Sequence, residues 1–393
     1  MTDYSEAVRK RIEVVLRERK TTLPELVRSC RGAYPGIVTQ ELQAFESGIM
    51  RSCEAVYQLI RSPLSEWKSG LSHIESNPVL STWYFTEQTC ERICSLRDWA
   101  GQRIAFLGTP KLFERFSQSE LGRERILLDL DSLVLETLVR VAKEPYDSVY
   151  LYDVQSEIPS DLLGKFDCVF FDPPWYPDDY SLWLRRAAEL APDGTVVFPL
   201  FQELTRPTAS SERDGILGKL ARCKRNPFLL TDFVQYETPS FERAQLHWLG
   251  LAEIADDSWR SADLVIGTAD YDLEDITSNQ EDTLGTWSEV RLGSMRVFVN
   301  SVTSADEAGL LVPASVDGSL ILKSPSRRDS GRLRANVLTS RGHGLRTSRP
   351  STLLLKLREL ANGVAKDHNI GTAIQALAID KGAQQILTTI LEE

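Results

Sequence analysis

Short apolar runs alternate with amphipathic segments along the middle of the chain. The runs end in glycine, proline or an acidic residue, and they predict strands at 103–107, 125–130, 148–152, 166–171 and 194–199. Between these runs, apolar residues recur at the spacing of one helix face. A regular alternation of strand and helix predicts an α/β fold with a parallel sheet and right-handed crossovers.

The N-terminal region predicts a small helical module. Residues 3–19 form one amphipathic helix, a second ends near Cys30, and a third covers 37–45 after a tight turn. This order suggests a helix-turn-helix or winged-helix module, which can bind DNA, dimerise or gate a substrate. The third helix has no Arg or Lys, which counts against DNA binding. Residues 53–100 are expected to be mostly helical, with breaks near Pro63 and Asn77-Pro78.

The second half of the chain predicts further short strands and then a helical tail. Apolar residues at helical spacing favour a packing or oligomerisation role for the tail from Ser351 onward. We therefore divide the chain into a winged-helix-like domain at 1–80, a Rossmann-like domain at 81–325, an Arg-rich loop at 326–350 and a helical segment at 351–393. The strands expected after the sheet lie at 228–236, 245–251, 262–266, 288–302 and 310–322.

The run Asp172-Pro173-Pro174-Trp175 follows an apolar strand directly. Two prolines donate no backbone N–H and fix their own φ, so they end the strand in a stiff corner. An amine can donate one hydrogen to the Asp172 carboxylate and another to the Pro173 carbonyl, and lay its attached group against Trp175. An exocyclic amine held by two acceptors regains its lone pair for attack. The four residues are therefore predicted to be the catalytic site of an enzyme that alkylates nitrogen.

Other candidate site residues follow neighbouring strands. Gly108 ends the first, Asp129 ends the second 21 residues later, and Asp153 follows the third. An acidic residue at the position of Asp129 accepts ribose hydroxyls in nucleoside-binding sheets, and Asp153 can meet an adenine amino group. The turn at Gly108 has a single glycine, which argues against a dinucleotide and favours an adenosyl cofactor.

Composition adds few constraints. The chain of 393 residues is long enough for two or three domains, and no apolar stretch is long enough to cross a bilayer. The N-terminus reads as a charged helix rather than a signal peptide. Six scattered cysteines and four histidines predict no metal site and reduced thiols in the cytoplasm.

Charge is distributed unevenly. The net charge of −11 disfavours wholesale wrapping of nucleic acid and suits a cationic small substrate. Residues 325–350 nevertheless hold seven arginines and one acid, a net +6, which leaves −17 for the rest. This stretch is expected to be a solvated loop or, alternatively, an arm in which Arg327–Arg349 contacts phosphates.

The order of strand–glycine, acidic strand end, second acid and DPPW resembles the class I S-adenosylmethionine-dependent transferases. The corner is similar to that of their adenine amino-methyltransferases. A closer likeness is to the branched-chain polyamine synthases, which join a winged helix to such a sheet and carry a DPPY corner. It covers roughly residues 5–205 and rests on TLPELVRSCRGAYPGIVTQEL, RIAFLG, ILLDLDSLVLETL and LLGKFDCVFFDPPW.

The resemblance implies a role for each candidate residue. Asp129 would hold the cofactor ribose, Asp153 its adenine end and Asp172 the acceptor amine, and Thr86 and Thr89 would lie near the cofactor. The cofactor would be S-adenosylmethionine or its decarboxylated form, and the acceptor an adenine in nucleic acid or a polyamine.

Three functions stay open. The first is methyl transfer to an amino nitrogen. The second is aminopropyl transfer from decarboxylated S-adenosylmethionine. The polyamine synthases carry an acidic triplet after the first glycine, whereas this chain has Thr109-Pro110-Lys111, and a lysine facing the site would repel an ammonium by about 1 kcal/mol at 4 Å even in water. The third is a non-catalytic binding or assembly module on the same fold. The helical tail makes a homo-oligomer an open alternative under each of the three.

Overall fold

The computed structural model describes residues 2–18, 21–48, 67–143, 145–220, 227–256, 258–268, 287–301, 310–324, 326, 329–367, 370–377 and 379–392. The chain forms two compact units. The first comprises Met1–Ser72, Tyr84–Glu237 and Asp256–Gln280, and the second His73–Trp83, Thr238–Ala255 and Glu281–Glu393. The expected helical residues at 53–66 lie outside the described residues.

The helices are α1 Thr2–Glu18, α2 Leu23–Ser29, α3 Pro35–Gly48, α4 Glu87–Cys94, α5 Pro110–Gln118, α6 Ser132–Leu138, α7 Pro177–Leu190, α8 Ala209–Leu220, α9 Ser240–Trp248, α10 Ala252–Ala255, α11 Ser330–Arg334, α12 Pro350–Asp367, α13 Ile370–Ala376 and α14 Lys381–Glu392. The strands are β1 Arg103–Leu107, β2 Glu124–Asp129, β3 Asp147–Leu151, β4 Cys168–Phe171, β5 Thr195–Phe201, β6 Phe228–Gln235, β7 Ser261–Thr268, β8 Trp287–Leu292, β9 Met295–Asn300, β10 Val312–Pro313, β11 Val337–Thr339 and β12 Gly344–Arg346. Among the described residues, no helix has the length and apolar character needed to span a membrane.

The first unit contains a seven-stranded sheet in the order β3-β2-β1-β4-β5-β7-β6. Strands β1 to β5 pair in parallel, which confirms the predicted parallel sheet. Strand β7 runs antiparallel to both β5 and β6. The strand order reverses between β1 and β4, and ligands in open α/β sheets bind at the carboxyl ends of the strands beside such a reversal.

Alternation along β1 and β4 builds two apolar layers. Leu107 and Phe171 point into one core, with Tyr180 and Phe198. Phe106 and Phe170 point to the other face and stack at 5.4 Å between ring centroids. Because side chains alternate across a strand, the apolar runs of the sequence are buried on both faces, as covered parallel strands require.

The three predicted N-terminal helices are present. Thr22 caps α2, and Glu25 reaches back to complete a capping box. The helices lie against the segment that follows β5, where Leu204 donates its N–H to the Arg31 carbonyl at 3.0 Å. The expectation that 67–100 is mostly helical is wrong, because only Gly70–His73 and α4 are helical there, although the predicted break near Asn77-Pro78 is present. Asn77 instead accepts from the backbone N–H of Val79, a turn that competes with helix.

The second unit holds an antiparallel sheet in the order β10-β12-β11-β9-β8. Leucines of the predicted helical tail, such as Leu353, Leu357 and Leu360, are buried in its core. The strand expected at 245–251 is wrong, because α9 covers this apolar run. Residues 326–350 are not simply a loop either, since α11, β11 and β12 lie within them. A short apolar run is compatible with either a strand or a helix. Which of its side chains become buried in the folded chain decides between the two.

Candidate amine-alkylation site

The corner begins where β4 ends at Phe171. The Pro174 carbonyl accepts the backbone N–H of Tyr176 at 2.8 Å, and α7 follows with a proline at its start. No backbone hydrogen bond reaches the Pro173 carbonyl among the described residues. The turn therefore uses the Pro174 carbonyl in a backbone hydrogen bond. The Pro173 carbonyl stays available to accept a hydrogen of the amine, as the sequence prediction requires.

Asp172 keeps part of its surface exposed, while the protein encloses its carboxyl group. The hydroxyl of Tyr236 donates to Asp172 Oδ1 at 2.9 Å. Burial raises the pKa of Asp172 to about 8, although the Tyr236 hydrogen bond and the Arg260 charge act in the opposite direction. The carboxyl group can therefore exchange a proton near neutral pH.

Trp175 is partly buried and packed on three sides. The edge of Tyr236 approaches its ring at 5.6 Å between centroids, and Phe201 lies at 6.2 Å. The guanidinium of Arg260 stacks over the Trp175 ring at 4.2 Å from the centroid. The surface that was predicted to receive the acceptor's attached group therefore already carries a cation.

Sequence reasoning missed Tyr236 and Arg260, because their position depends on the direction of two strands. Tyr236 follows β6, whose end lies at the same edge as the end of β4. Arg260 precedes β7, and since β7 is antiparallel its beginning lies at that edge as well; Phe201 pairs with Ala262 there. The backbone N–H of Tyr236 donates to the Arg260 carbonyl at 3.0 Å, which ties the two together. An aromatic residue at a predicted strand end was the only available signal.

Gly108 lies directly after β1, with φ of +63°. A Cβ at this position would lie 2.6 Å from Cη2 of Trp183, which projects from α7. The glycine is therefore needed for helix packing as well as for any close approach of a cofactor. Thr109, next to it, has a buried hydroxyl oxygen without a hydrogen-bond partner among the described residues. This polar atom fits a ligand at the turn.

Asp129 and Asp153 lie at the same edge, at the ends of β2 and β3. Asp129 Oδ1 accepts the N–H of Asp131, and Asp153 Oδ1 accepts that of Gln155 at 2.9 Å. Asp131 caps α6. The two carboxylates therefore follow adjacent parallel strands, and their binding of an adenosyl group stays a prediction.

Thr86 and Thr89 have structural partners. Thr86 caps α4, and its N–H donates to the Gln235 carbonyl at 2.9 Å. The Thr89 hydroxyl is buried and accepts the N–H of Gln235 at 2.9 Å. These bonds attach α4 to the end of β6 beside Tyr236, and a role near the cofactor stays a prediction.

Lys111 does not expose its charge to the site. Its side chain is only 2 % exposed, and its ammonium group pairs with Glu237, the residue after Tyr236. The sequence argument that Lys111 repels an ammonium substrate therefore loses most of its force, because the neighbouring carboxylate offsets that charge.

The arginines of the Arg-rich segment that the structure describes belong to the second unit. Arg332 donates to the Pro78 carbonyl at 2.5 Å, and Arg341 pairs with Glu75 at 3.4 Å. These two side chains therefore stabilise their own unit. Arg327 and Arg328 lie outside the described residues. The described residues contain no group of three or more His, Cys, Asp or Glu that could hold a metal ion.

Comparison with known proteins shows what this part of the chain is similar to. Residues 76–224 match the family model "Probable N6-adenine methyltransferase". In structure, the chain is similar to the branched-chain polyamine synthase of Thermus thermophilus in complex with N4-aminopropylspermidine and 5'-methylthioadenosine, with a TM-score of 0.52, 16% identity, and coverage of 70% of this chain and 97% of that one. A mutein of the same enzyme gives a TM-score of 0.53 at 16% identity, over 70% and 90% of the two chains.

These findings support a class I S-adenosylmethionine-dependent transferase. The structural likenesses show the Rossmann-like fold. The family model covers β1 to β5 together with Asp172-Pro173-Pro174-Trp175, called the amine corner below. An uncharacterised protein of Methanocaldococcus jannaschii is 26% identical over 95 residues, 23% of this chain. The chain spans about a quarter of the length of that curated relative, 24%. Amine alkylation with S-adenosylmethionine or its decarboxylated form is the chemistry that this site supports.

Proposed function

We propose that the chain is an S-adenosylmethionine-dependent N-methyltransferase that alkylates an exocyclic amino group of the adenine type. The observation that carries this proposal is the Asp172 carboxyl group at the sheet reversal, beside Gly108, with its pKa raised to about 8 and the Tyr236 hydroxyl donating to it. The match of residues 76–224 to the adenine methyltransferase model supports the choice of acceptor.

The residues of the corner would bind the acceptor amine and take up its proton. Asp172 and the Pro173 carbonyl each accept one hydrogen of the amine, which fixes the direction of its lone pair. The nitrogen loses a proton when it is alkylated, and the ionised form of Asp172 can accept it, because a pKa of about 8 makes this carboxylate more basic than an ordinary one. S-adenosylmethionine, held by Asp129, Asp153 and the turn at Gly108, would supply the electrophilic methyl group.

The decisive variant is Asp172→Ala. We expect methyl transfer to fall at least about 100-fold, because both the positioning of the amine and the proton acceptor are lost. Binding of S-adenosylmethionine, measured by calorimetry, should stay within a few-fold of the wild type. Asp178→Ala is the matched control, since this exposed carboxylate lies in the first turn of α7. Wild-type turnover by Asp172→Ala would refute the role of the corner.

Aminopropyl transfer is the second candidate, because the pairing of Lys111 with Glu237 removes the main argument against a polyamine. Thermal melts with S-adenosylmethionine, its decarboxylated form and S-adenosylhomocysteine separate the two. A ligand at 100 times its dissociation constant adds about 2.7 kcal/mol to the free energy of unfolding. Preference for the decarboxylated cofactor would select aminopropyl transfer, and no shift with any of the three would favour a non-catalytic module.

Three further expectations from the sequence belong to this proposal. Reduced, scattered cysteines favour a cytoplasmic enzyme. The Arg327–Arg349 segment could contact acceptor phosphates through those arginines that do not stabilise the second unit. The amphipathic tail could support a homo-oligomer, which sedimentation would detect.

A further inference from the structure

Arg260 is the one cationic side chain recorded directly on the ring of the amine corner within the described residues. Its guanidinium lies 4.2 Å from the centroid of Trp175. Its charge also reaches Asp172, where it favours the ionised carboxylate. Arg260 therefore contacts an aromatic face and acts through its charge on a carboxylate, the two features that a protein uses to bind a cationic amine.

The backbone holds this arginine at the corner from two directions. The Arg260 carbonyl accepts the N–H of Tyr236 at 3.0 Å, and the Tyr236 hydroxyl donates to Asp172. On the other side, the preceding residue Trp259 is buried and packs edge-on against Tyr34 of the N-terminal helical module at 5.9 Å. These contacts fix the backbone at Arg260, and from this position its guanidinium reaches the Trp175 ring.

A cationic acceptor and this guanidinium compete for the same place. A protonated amine would need the Trp175 face for a cation–π contact and the Asp172 carboxylate for charge compensation. Two positive charges at contact distance repel each other, more strongly in a partly buried site than in water. An uncharged aromatic amine meets no such repulsion, since a planar base can stack on a guanidinium plane.

We propose that Arg260 determines the acceptor class of this enzyme by occupying the cation position on Trp175, so that the corner takes an uncharged aromatic amine and rejects polyamines. The inference rests on the proposed function and deepens it by naming the property of the amine that is selected. It also assigns the N-terminal helical module a part in selection, because Tyr34 packs against the neighbour of Arg260.

The test is the equilibrium binding of spermidine, a cationic amine, and of adenosine, an uncharged aromatic amine, to full-length wild type and to Arg260→Gln in low salt. The variant should bind spermidine about tenfold more tightly than the wild type, or more, because the repelling charge is gone. Its affinity for adenosine should not rise. Arg260→Lys keeps a positive charge at the same position and should exclude spermidine as the wild type does.

Arg97→Gln is the matched control. Arg97 stacks over Trp99 at 4.4 Å, at the opposite end of β4, where its charge acts on Cys168 instead of Asp172. This variant changes the net charge by the same amount and should leave spermidine affinity unchanged. A thermal melt of each variant checks that it is folded, and Arg260→Met, which also removes the charge and should gain spermidine affinity in the same way, replaces Arg260→Gln if that variant does not fold.

The outcomes distinguish this inference from the proposed function. Equal spermidine binding by wild type and Arg260→Gln, at any affinity, overturns the inference, and so does an equal gain in Arg97→Gln. Because the readout is binding, it does not depend on turnover. A failure of methyl transfer in the wild type, with spermidine binding changed only in Arg260→Gln, would instead overturn the proposed function and leave the selectivity of Arg260 supported.

Discussion

Asp172 is subject to opposing influences at the scale of single residues. Burial raises the pKa of Asp172 to about 8, whereas Tyr236 and Arg260 favour its charged form. Tyr180 also lies near enough for the charge of Asp172 to raise the pKa of its phenol. The folded carboxyl group thus holds a proton that an unfolded one, with the ordinary pKa of 3.8, has lost. Between these two values the folded state binds more protons, so the free energy of unfolding decreases as pH rises.

We expect Tyr236→Phe to move the pH dependence of transfer to higher pH. The hydroxyl donates to the ionised carboxylate, so its loss raises the pKa of Asp172 further. A hydrogen bond to a charged group corresponds to about one pH unit or more. The rising limb of kcat/KM, measured from pH 6 to 10, should shift by that amount.

Tyr4→Phe is the control for this measurement. Its hydroxyl donates to the Leu204 carbonyl at 2.7 Å, within the contact of the N-terminal helices. The pH profile of this variant should match the wild type. An unchanged profile in Tyr236→Phe would mean that Asp172 is not the group whose ionisation limits the reaction.

At the scale of elements, the turn after β1 contacts both the neighbouring strand β2 and the helix α7. The N–H of Gly108 donates to the Leu128 carbonyl at 2.9 Å, which continues the pairing of β1 with β2. Trp183 of α7 lies against the same residue, and Phe171 at the end of β4 packs against that ring at 6.5 Å. Gly108, which has no side chain, therefore sets the spacing between the turn after β1, α7 and the corner that follows β4.

Gly108→Ala should lower stability more than Gly101→Ala. Both glycines have positive φ, at +63° and +76°, so both substitutions add similar backbone strain. A Cβ at Gly101 meets nothing within 4 Å, whereas one at Gly108 lies 2.6 Å from the Trp183 ring. The difference between the two losses, from urea denaturation, should be about 1–3 kcal/mol. Equal losses of stability in the two variants would show that the Trp183 ring moves away from the added Cβ at no cost in free energy.

At the scale of the whole molecule, an ion network around the buried carboxylate of Asp263 attaches the N-terminal helical module to the sheet of its unit. Arg31 pairs with Glu203 at 2.9 Å and with Asp232 at 3.0 Å. Asp263, on β7, is fully buried and pairs with Arg213 at 2.5 Å and with Arg31 at 3.5 Å. Because Arg260 directly precedes β7, this network fixes the strand that positions the proposed selectivity residue.

Replacing Asp263 by Ala should destabilise the protein by about 3–5 kcal/mol, because it leaves two arginines without their shared buried carboxylate. Lys143→Ala is the control, since Lys143 pairs with Glu120 at 3.0 Å on the exposed surface and should cost less than about 1 kcal/mol. Chemical denaturation measures both. A loss of similar size in the two variants would contradict a central role for the network.

Much of this protein could be predicted from local sequence signals. The strands of the parallel sheet, the capped helix at Thr22, the Asp-Pro-Pro-Trp corner and the carboxylates of Asp129 and Asp153 at one edge each follow from neighbours in the chain. Apolar runs, prolines and strand-end acids act within a few residues, where steric and hydrogen-bonding rules are strong.

Other features depended on the tertiary structure alone. The antiparallel direction of β7 brings Arg260 to Trp175, and the end of β6 brings Tyr236 to Asp172, across long separations in sequence. The ion pair of Lys111 with Glu237 also joins residues that are far apart in sequence. Sequence specifies which groups can ionise or stack, but burial and the direction of neighbouring strands decide which of them meet, and those are properties of the folded chain.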